Sequence, residues 1–121
     1  MIDTHAHIYL SEFDEDRTTV IDRAKAAGVK HIILPNVDSK TIDSLLKLES
    51  SMPDFFHAAM GLHPTSVKSD WQNELAVIKK HIDNRQFCAI GEIGIDLYWD
   101  KSYLKEQLIV FEKQLEWAIN L

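Results

Sequence analysis

The feature that most constrains the fold is a regular alternation of short apolar runs with longer amphipathic segments. Four runs rich in Ile, Val, Leu and Phe predict β-strands, and they cover residues 1–8, 31–37, 55–62 and 87–93. The segments after them repeat apolar residues every three or four positions, which predicts helices that begin near residues 16, 39, 69 and 102. Strands that alternate with helices pair in parallel, because each helix returns the chain to the same end of the sheet. We therefore predict an α/β protein of the (βα)4 type.

Repetition of the βα unit leads either to an open doubly wound sheet or to a closed TIM barrel of eight units in ~250 residues. Four units in 121 residues are half of such a (β/α)8 barrel, with parallel strands covered by outer helices. No linker or low-complexity tract interrupts the series, so residues 1–121 are predicted to form one domain. The first helix is expected to stop at Gly28, and Ser69 and Gln72 are expected to form a capping box for the third.

The composition is that of an ordinary globular protein, with 45% hydrophobic and 26% charged residues. The first ten residues lack the basic residues and apolar stretch of a signal peptide, and we expect a cytoplasmic protein with no membrane segment. The single cysteine, Cys88, is interpreted as a core residue because it lies in an apolar run. A net charge of -6 argues against nucleic-acid binding through basic side chains alone, but metal ions can supply the positive charge that a phosphodiester requires.

Chemically distinctive side chains stand where the predicted strands end. His5 and His7 end the first strand, His63 ends the third and Glu92 ends the fourth. Parallel strands present their carboxyl ends on one side of the sheet, so these four side chains are predicted to converge. Within a strand, His5 and His7 would also face the same way, because side chains alternate between faces. Imidazoles and a carboxylate suit Zn, Mn or Fe, whereas Mg prefers more oxygen, so we predict a divalent-metal site.

The segment around Glu92 holds further candidates for the site. Glycines on both sides of Glu92 let the backbone bend and other groups come close, as a carboxylate that bridges two cations requires. Asp96 has three candidate roles, which are an acceptor for a ligand imidazole, a substrate contact or a cap for the loop before the last helix. Tyr98 and Trp99 follow in the same loop and are candidates to line a substrate cleft.

Four segments of the sequence, in their order and spacing, point to a family. They are Ile2-Asp3-Thr4-His5-Ala6-His7, Gly61-Leu62-His63-Pro64, Gly91-Glu92-Ile93-Gly94-Ile95-Asp96 and Gln107-x-x-x-Phe111-x-x-Gln114-Leu115. Together they resemble the N-terminal half of the TatD family of metal-dependent hydrolases. The resemblance implies an amidohydrolase-like TIM barrel, one or two divalent metal ions (Zn, Mn, Mg or Fe) and hydrolysis of phosphodiester bonds in DNA, as a deoxyribonuclease.

The resemblance also implies roles for individual residues. His5 and His7 would bind the first metal, Glu92 would bridge both metals, and His63 would contact the substrate phosphate or a metal-bound water. Glu92 and His63 are thus the predicted catalytic residues, and His63, Asp96 and Tyr98 are the predicted substrate contacts. The family pattern further contains two histidines after strands five and six and an aspartate, the expected general base, after strand eight. The sequence ends before these positions, so we expect a truncated hydrolase that is inactive by itself.

Two other hypotheses stay open. The first is a non-catalytic half-barrel that folds or functions only with a second half. Unpaired strand edges and an apolar inner face would favour a homodimer or higher oligomer. The side chains expected to be left open are Ile2, Ile33 or Leu34, Met60 and Ile90. The second hypothesis is an amidohydrolase that acts on a small C–N substrate, and it is disfavoured because residues 91–96 contain no lysine that could be carbamylated to bridge two metals.

Overall fold

Parallel strands alternate with helices along the whole of residues 1–121, which the computed structural model describes in full. The elements are β1 (Ile2–Asp3), α1 (Arg17–Ala26), β2 (His31–Pro35), α2 (Ile42–Ser51), β3 (Phe56–Ala59), α3 (Trp71–Asn84) and α4 (Leu104–Asn120), with 3-10 turns at Ser11–Phe13 and Pro64–Ser66. The strand order is β1-β2-β3, and both pairings are parallel. The predicted α/β architecture with outer helices is confirmed.

The fourth predicted strand, residues 87–93, is reduced to a single parallel bridge between Ala89 and Ala59. The Gly91 N–H still donates to the Met60 carbonyl at 3.1 Å, but the next N–H, that of Glu92, donates to the carbonyl of Asn36, directly after β2, over 3.3 Å. A segment that crosses the carboxyl end of the sheet cannot continue a ladder along its edge. The prediction of a full fourth strand is therefore wrong, and the crossing carries Glu92 toward the middle of the sheet.

The first strand is also shorter than predicted. Only Ile2 and Asp3 form ladder pairs with β2, and the later N–H of Ala6 reaches the Ile33 carbonyl at 3.1 Å. His5 and His7 consequently follow the strand and do not lie within it, which corrects the reason given for their common direction. The irregular segment still runs beside β2, so the two imidazoles stay at the carboxyl end of the sheet.

Two clusters of buried apolar side chains hold the helices against the sheet. One lies among β2, β3, α1 and α2, and its fully buried members include Leu34, Leu45 and Phe56. The other lies among β3, α3 and α4 and includes Met60 and Ile78. The expectation that Met60 would lack cover is wrong, because it is completely buried, and of the alternatives Ile33 and Leu34 it is Leu34 that is buried.

The remaining side chains that were expected to be exposed to solvent are at least partly exposed. Ile2 is 58% exposed, while Ile33 and Ile90 are half-buried. Cys88 is exposed and is not the core residue that its apolar neighbours suggested, because the single bridge at Ala89 leaves this segment at the edge of the sheet.

Helix ends follow local sequence at one of the two predicted positions. Gly28 has a φ of +85°, a left-handed conformation that glycine adopts without strain, and α1 ends just before it as predicted. The predicted Ser69 capping box is wrong, because α3 has Asp70 at its N-cap and no side chain caps it. None of the helices combines the length and the apolar character needed to cross a bilayer.

Candidate metal centre

Three side chains meet at the carboxyl end of the sheet with their ligand atoms close together. The candidate ligand atoms of His5, His7 and Glu92 all lie within 4.8 Å of one another. The Nε2 atoms of the two imidazoles are 3.1 Å apart, and Glu92 Oε2 lies 2.8 Å from Nε2 of His5 and 3.3 Å from that of His7. Two ligands that are each about 2.1 Å from one cation stand about 3.0–3.4 Å apart in octahedral or tetrahedral coordination. The observed separations therefore fit ligands of a single ion.

The oxygen at the centre of this group has no hydrogen-bond partner. Glu92 Oε2 is buried, and although it is close to both imidazole nitrogens, neither is in hydrogen-bonding geometry with it. A buried carboxylate oxygen without a donor is costly, and native proteins rarely leave one without a cation or water. Of the groups that could satisfy it, a divalent cation shared with the two imidazoles matches the chemistry of all three side chains. His5, His7 and Glu92 thus fit a metal, as the sequence predicts.

His7 is held on both sides of its ring. Its Nδ1 lies 3.0 Å from the hydroxyl of Tyr9, which donates to the Pro35 carbonyl at 2.5 Å. Burial lowers the pKa of His7, and the neighbouring His5 lowers it further, against an opposing contribution from Glu92. A neutral imidazole has a lone pair to give to a metal, so these surroundings suit His7 as a ligand.

His63 joins the site in a different way. Its Nδ1 accepts a hydrogen bond from the backbone N–H of Thr65 at 3.1 Å and lies 2.7 Å from the Thr65 hydroxyl. A ring nitrogen that accepts an N–H carries no proton, so in the neutral ring the proton is on Nε2. That Nε2 faces Glu92 Oε1 at 3.2 Å. His63 therefore presents an N–H donor to the site, and it is not one of the three clustered ligands.

A close approach of two glycines places Glu92 in this cluster. A Cβ on Gly61 would lie 2.9 Å from the carbonyl carbon of Gly91, closer than real Cβ atoms come to backbone. The Gly91 N–H meanwhile donates to the Met60 carbonyl at 3.1 Å. The absence of a side chain at Gly61 thus lets the two backbones touch, so that Glu92 can reach the histidines.

Two glutamines of α4, which the sequence offered only as part of a family pattern, fix the loops around the site. The buried side-chain amide of Gln114 accepts from the Leu62 N–H at 2.7 Å and donates to the Leu62 carbonyl at 3.2 Å. Gln107 forms the same pair with the backbone of Asp96, at 2.9 Å each way. The residues before His63 and after Glu92 are therefore tied to one helix. Their spacing of seven residues, which repeats every two helical turns, was the signal that could have indicated this role.

The remaining predicted site residues lie beside the cluster. Asp96 Oδ1 accepts from the Tyr98 N–H at 2.9 Å, so the structure shows the loop-capping contact among its three candidate roles. Tyr98 and Trp99 are 81% and 82% exposed, and their rings pack edge to face with centroids 4.7 Å apart. The roles of Asp96 and Tyr98 in substrate binding stay predictions.

A parallel α/β sheet with two imidazoles and a carboxylate at the carboxyl ends of its strands is the arrangement of a barrel-type protein with a candidate metal site. The comparison with protein families assigns the chain more closely. Residues 2–121 match the model of the TatD-related DNase family, so the chain belongs to this family, and the predicted resemblance is confirmed.

Individual relatives agree with this assignment. The chain is 37% identical to the uncharacterized metal-dependent hydrolase YabD of Bacillus subtilis, covering 100% of this chain and 48% of that protein. It is 32% identical to the 3'-5' ssDNA/RNA exonuclease TatD of Pectobacterium parmentieri, covering 100% of this chain and 46% of the relative. The crystal structure of YjjV, a TatD homologue from Escherichia coli, superposes with a TM-score of 0.87 at 31% identity and covers 98% of this chain and 46% of that structure. The half-barrel fold is thereby confirmed, and the chain spans about half the length of these relatives.

Proposed function

We propose that the site binds one or two divalent metal ions and that the enzyme to which these residues belong hydrolyses phosphodiester bonds in nucleic acid. Metal binding is inferred mainly from the buried Oε2 of Glu92, which has no hydrogen-bond partner and is faced by the Nε2 atoms of His5 and His7. The family match and the hydrolase and exonuclease names of the relatives support the reaction class. Which of Zn, Mn, Mg or Fe is bound belongs to the proposal, and the two imidazoles favour Zn, Mn or Fe.

Each side chain of the site has a separate task in this proposal. A bound divalent ion supplies positive charge to the phosphate and lowers the pKa of a water. His5 and His7 hold the ion through Nε2, and Glu92 offers one oxygen on their side and a second toward His63. The Nε2–H of His63 is a donor for a phosphate oxygen, and the Thr65 contacts keep the proton on that atom.

The exposed aromatic pair supports a single-stranded substrate. Tyr98 and Trp99 lie in the loop that continues from Glu92 and Asp96, and both present more than four-fifths of their surface to solvent. Unpaired bases stack on aromatic side chains with little sequence preference, whereas paired bases are stacked already. The name of the Pectobacterium relative describes an exonuclease of single-stranded DNA and RNA, which agrees with this substrate class.

We further propose that residues 1–121 by themselves bind metal weakly and do not cleave nucleic acid. Three ligand atoms fill only part of the coordination that Zn or Mn takes, and each missing ligand costs affinity. The site also offers no free general base, since Nδ1 of His63 is occupied by Thr65 and Glu92 faces the histidines.

Calorimetric titration of the 121-residue chain with Zn²⁺ or Mn²⁺ tests the metal site. We expect measurable binding that Glu92→Gln and His5→Ala each weaken at least about 10-fold. His57→Gln is the matched control, because His57 and His31 also form an imidazole pair, with ring nitrogens 3.0 Å apart, but no third histidine, cysteine or carboxylate completes a metal site there. Equal affinity in all four proteins would contradict the assignment.

Two assays with a labelled single-stranded oligonucleotide test the substrate and the reaction. In the presence of Mn²⁺ we expect the chain to bind the oligonucleotide more weakly after Trp99→Ala, whereas Trp117→Ala, on α4, leaves binding unchanged. Unchanged binding in Trp99→Ala would contradict the stacking role. No cleavage is expected with Mg²⁺ or Mn²⁺, and robust cleavage that His7→Ala abolishes would show that the first half of the site suffices.

The open edge beside the Ala89 bridge supports association of the chain with itself. A cleft of about 740 Å³, lined mainly by residues 82–90, adjoins this edge, and parallel strands that end unpaired favour a further strand. We propose that a second copy pairs there about a two-fold axis. Light scattering should show a dimer or higher oligomer that Ile90→Asp, in the cleft, dissociates and Ile119→Asp, outside it, does not. A stable monomer at micromolar concentration would contradict the proposal.

A further inference from the structure

Tyr9 is a buried residue that touches a predicted metal ligand on the side away from the metal. Only 2% of Tyr9 is exposed, and its hydroxyl lies between Nδ1 of His7, at 3.0 Å, and the carbonyl oxygen of Pro35, at 2.5 Å. The nitrogen of His7 that faces Glu92 is the other one, Nε2. Tyr9 therefore cannot be a ligand in the same cluster, and any influence on the metal passes through the His7 ring.

The partners of the hydroxyl decide where the protons lie. A carbonyl oxygen only accepts, so an oxygen–oxygen distance of 2.5 Å to Pro35 requires the hydrogen of the Tyr9 hydroxyl between them. The hydroxyl has no second hydrogen, and it can meet His7 only with a lone pair. His7 Nδ1 must then carry the proton and donate it to Tyr9. In a neutral ring this leaves Nε2 unprotonated.

The strand edge explains why the Pro35 carbonyl is free to accept. On the edge of β2 that faces the first strand, the Ile33 carbonyl accepts from the Ala6 N–H at 3.1 Å. The next carbonyl on that edge is that of Pro35, and it receives the Tyr9 hydroxyl where a continued ladder would supply a backbone N–H. The early end of β1 thus makes room for a side chain to take the place of a ladder bond.

We propose that Tyr9 is a positioning residue that holds His7 in the Nδ1–H tautomer and so keeps its Nε2 lone pair available to a divalent cation. The proposal rests on the metal site proposed above. His63 provides the contrast within the same site, because Thr65 donates to its Nδ1 and selects the opposite tautomer. The Tyr9 hydroxyl therefore makes the His7 ring a metal ligand, whereas the Thr65 backbone makes the His63 ring a hydrogen-bond donor.

The tautomer can be measured without any metal. In metal-free protein labelled with ¹⁵N, two-bond proton–nitrogen correlation spectra distinguish a protonated ring nitrogen from an unprotonated one. We expect Nδ1 protonated and Nε2 unprotonated in His7, and a shift toward the Nε2–H form in Tyr9→Phe. Tyr103→Phe is the matched control, because the Tyr103 side chain lies against Lys68 and away from His7. An Nε2–H form of His7 in the unaltered chain, or no change in Tyr9→Phe, would overturn the proposal.

Metal titration is the second test of the role of Tyr9. Tyr9→Phe should weaken Zn²⁺ binding by about 10- to 100-fold, as loss of a partner that orients a ligand does in other metal sites, and Tyr103→Phe should not. Phenylalanine keeps the buried ring, and an unchanged amide spectrum away from the site confirms that the variant folds. Equal Zn²⁺ affinity in Tyr9→Phe and the unaltered chain would overturn the positioning role. Absence of Zn²⁺ binding in the unaltered chain would instead refute the metal site, while the tautomer measurement would still decide the contact between Tyr9 and His7.

Discussion

Replacing Gln114 with methionine should destabilise the protein strongly although the residue touches no ligand. Gln114 is fully buried on α4, and its amide is the partner of both the N–H and the carbonyl of Leu62. Methionine has nearly the same length and shape, so Gln114→Met removes the two hydrogen bonds without opening a large cavity. The substitution leaves both backbone groups of Leu62 buried and unpaired.

The expected loss follows from the two orphaned groups. Each buried donor or acceptor that loses its partner costs about 1–3 kcal/mol, and the variant recovers part of this because it no longer buries an amide. We expect a net loss of about 2–4 kcal/mol, a large share of the about 5–15 kcal/mol that stabilises a typical domain. With a urea dependence of about 1–3 kcal/mol per M, the midpoint of unfolding should fall by about 0.7–4 M.

Urea unfolding followed by circular dichroism measures this loss. Gln72→Met is the matched control, because Gln72 is exposed on α3, and the same change there should alter stability by no more than about 0.5 kcal/mol. A loss below about 0.5 kcal/mol in Gln114→Met, with the fold intact, would refute the claim that this amide alone pairs the backbone of Leu62. Since His63 follows Leu62 directly, weaker binding of metal or oligonucleotide should accompany the loss.

Three further outcomes follow from contacts elsewhere in the site and the sheet. Gly61→Ala should cost about 1–3 kcal/mol in thermal unfolding, because the new Cβ would meet the Gly91 backbone at 2.9 Å, and an equally stable variant would contradict that close approach. Arg17→Lys should lower stability by about 1 kcal/mol and weaken metal binding, because the guanidinium donates to all three carbonyls of residues 8–10, which follow the two candidate ligand histidines, and lysine cannot span them; unchanged values would contradict this role. Although Cys88 is exposed, desolvation of its sulfur on the protein side and the charge of Glu49 raise the pKa of its thiol, so iodoacetamide should modify Cys88 near pH 7.5 more slowly than a cysteine in the urea-unfolded chain and faster as the pH rises, and mass spectrometry showing equal rates in both states would refute the shift.

The convergence of the candidate site could be predicted from sequence because it depends on a simple rule of topology. Parallel strands end on the same side, so His5, His7 and Glu92 were predicted to converge, and the structure brings their ligand atoms within 4.8 Å of one another. The reason given for His5 and His7 was nevertheless wrong in detail, since β1 ends before them. The convergence tolerates this error, because the chain still runs beside β2.

By itself, the sequence determined the alternation of strands and helices, the end of α1 at Gly28 and the residue types available at the carboxyl end of the sheet. These features are local, since apolar periodicity and a left-handed glycine act over a few neighbouring positions. Only the tertiary structure decided the length of the fourth strand. Its residues could pair further along β3 or turn toward Asn36, and both partners are distant in sequence. The local propensity of the segment does not distinguish between them.

Only the tertiary structure, likewise, decided the contacts of Tyr9 beside His7 and of the buried Gln114 amide. Tyr9 meets Pro35 across 26 residues, and Gln114 meets Leu62 across 52. A tautomer is set by which atom lies opposite a ring nitrogen, and no pattern within one segment specifies an atom in another. The sequence therefore supplied the side chains of the candidate centre, whereas long-range hydrogen bonds fixed the positions of the loops and rings that carry them.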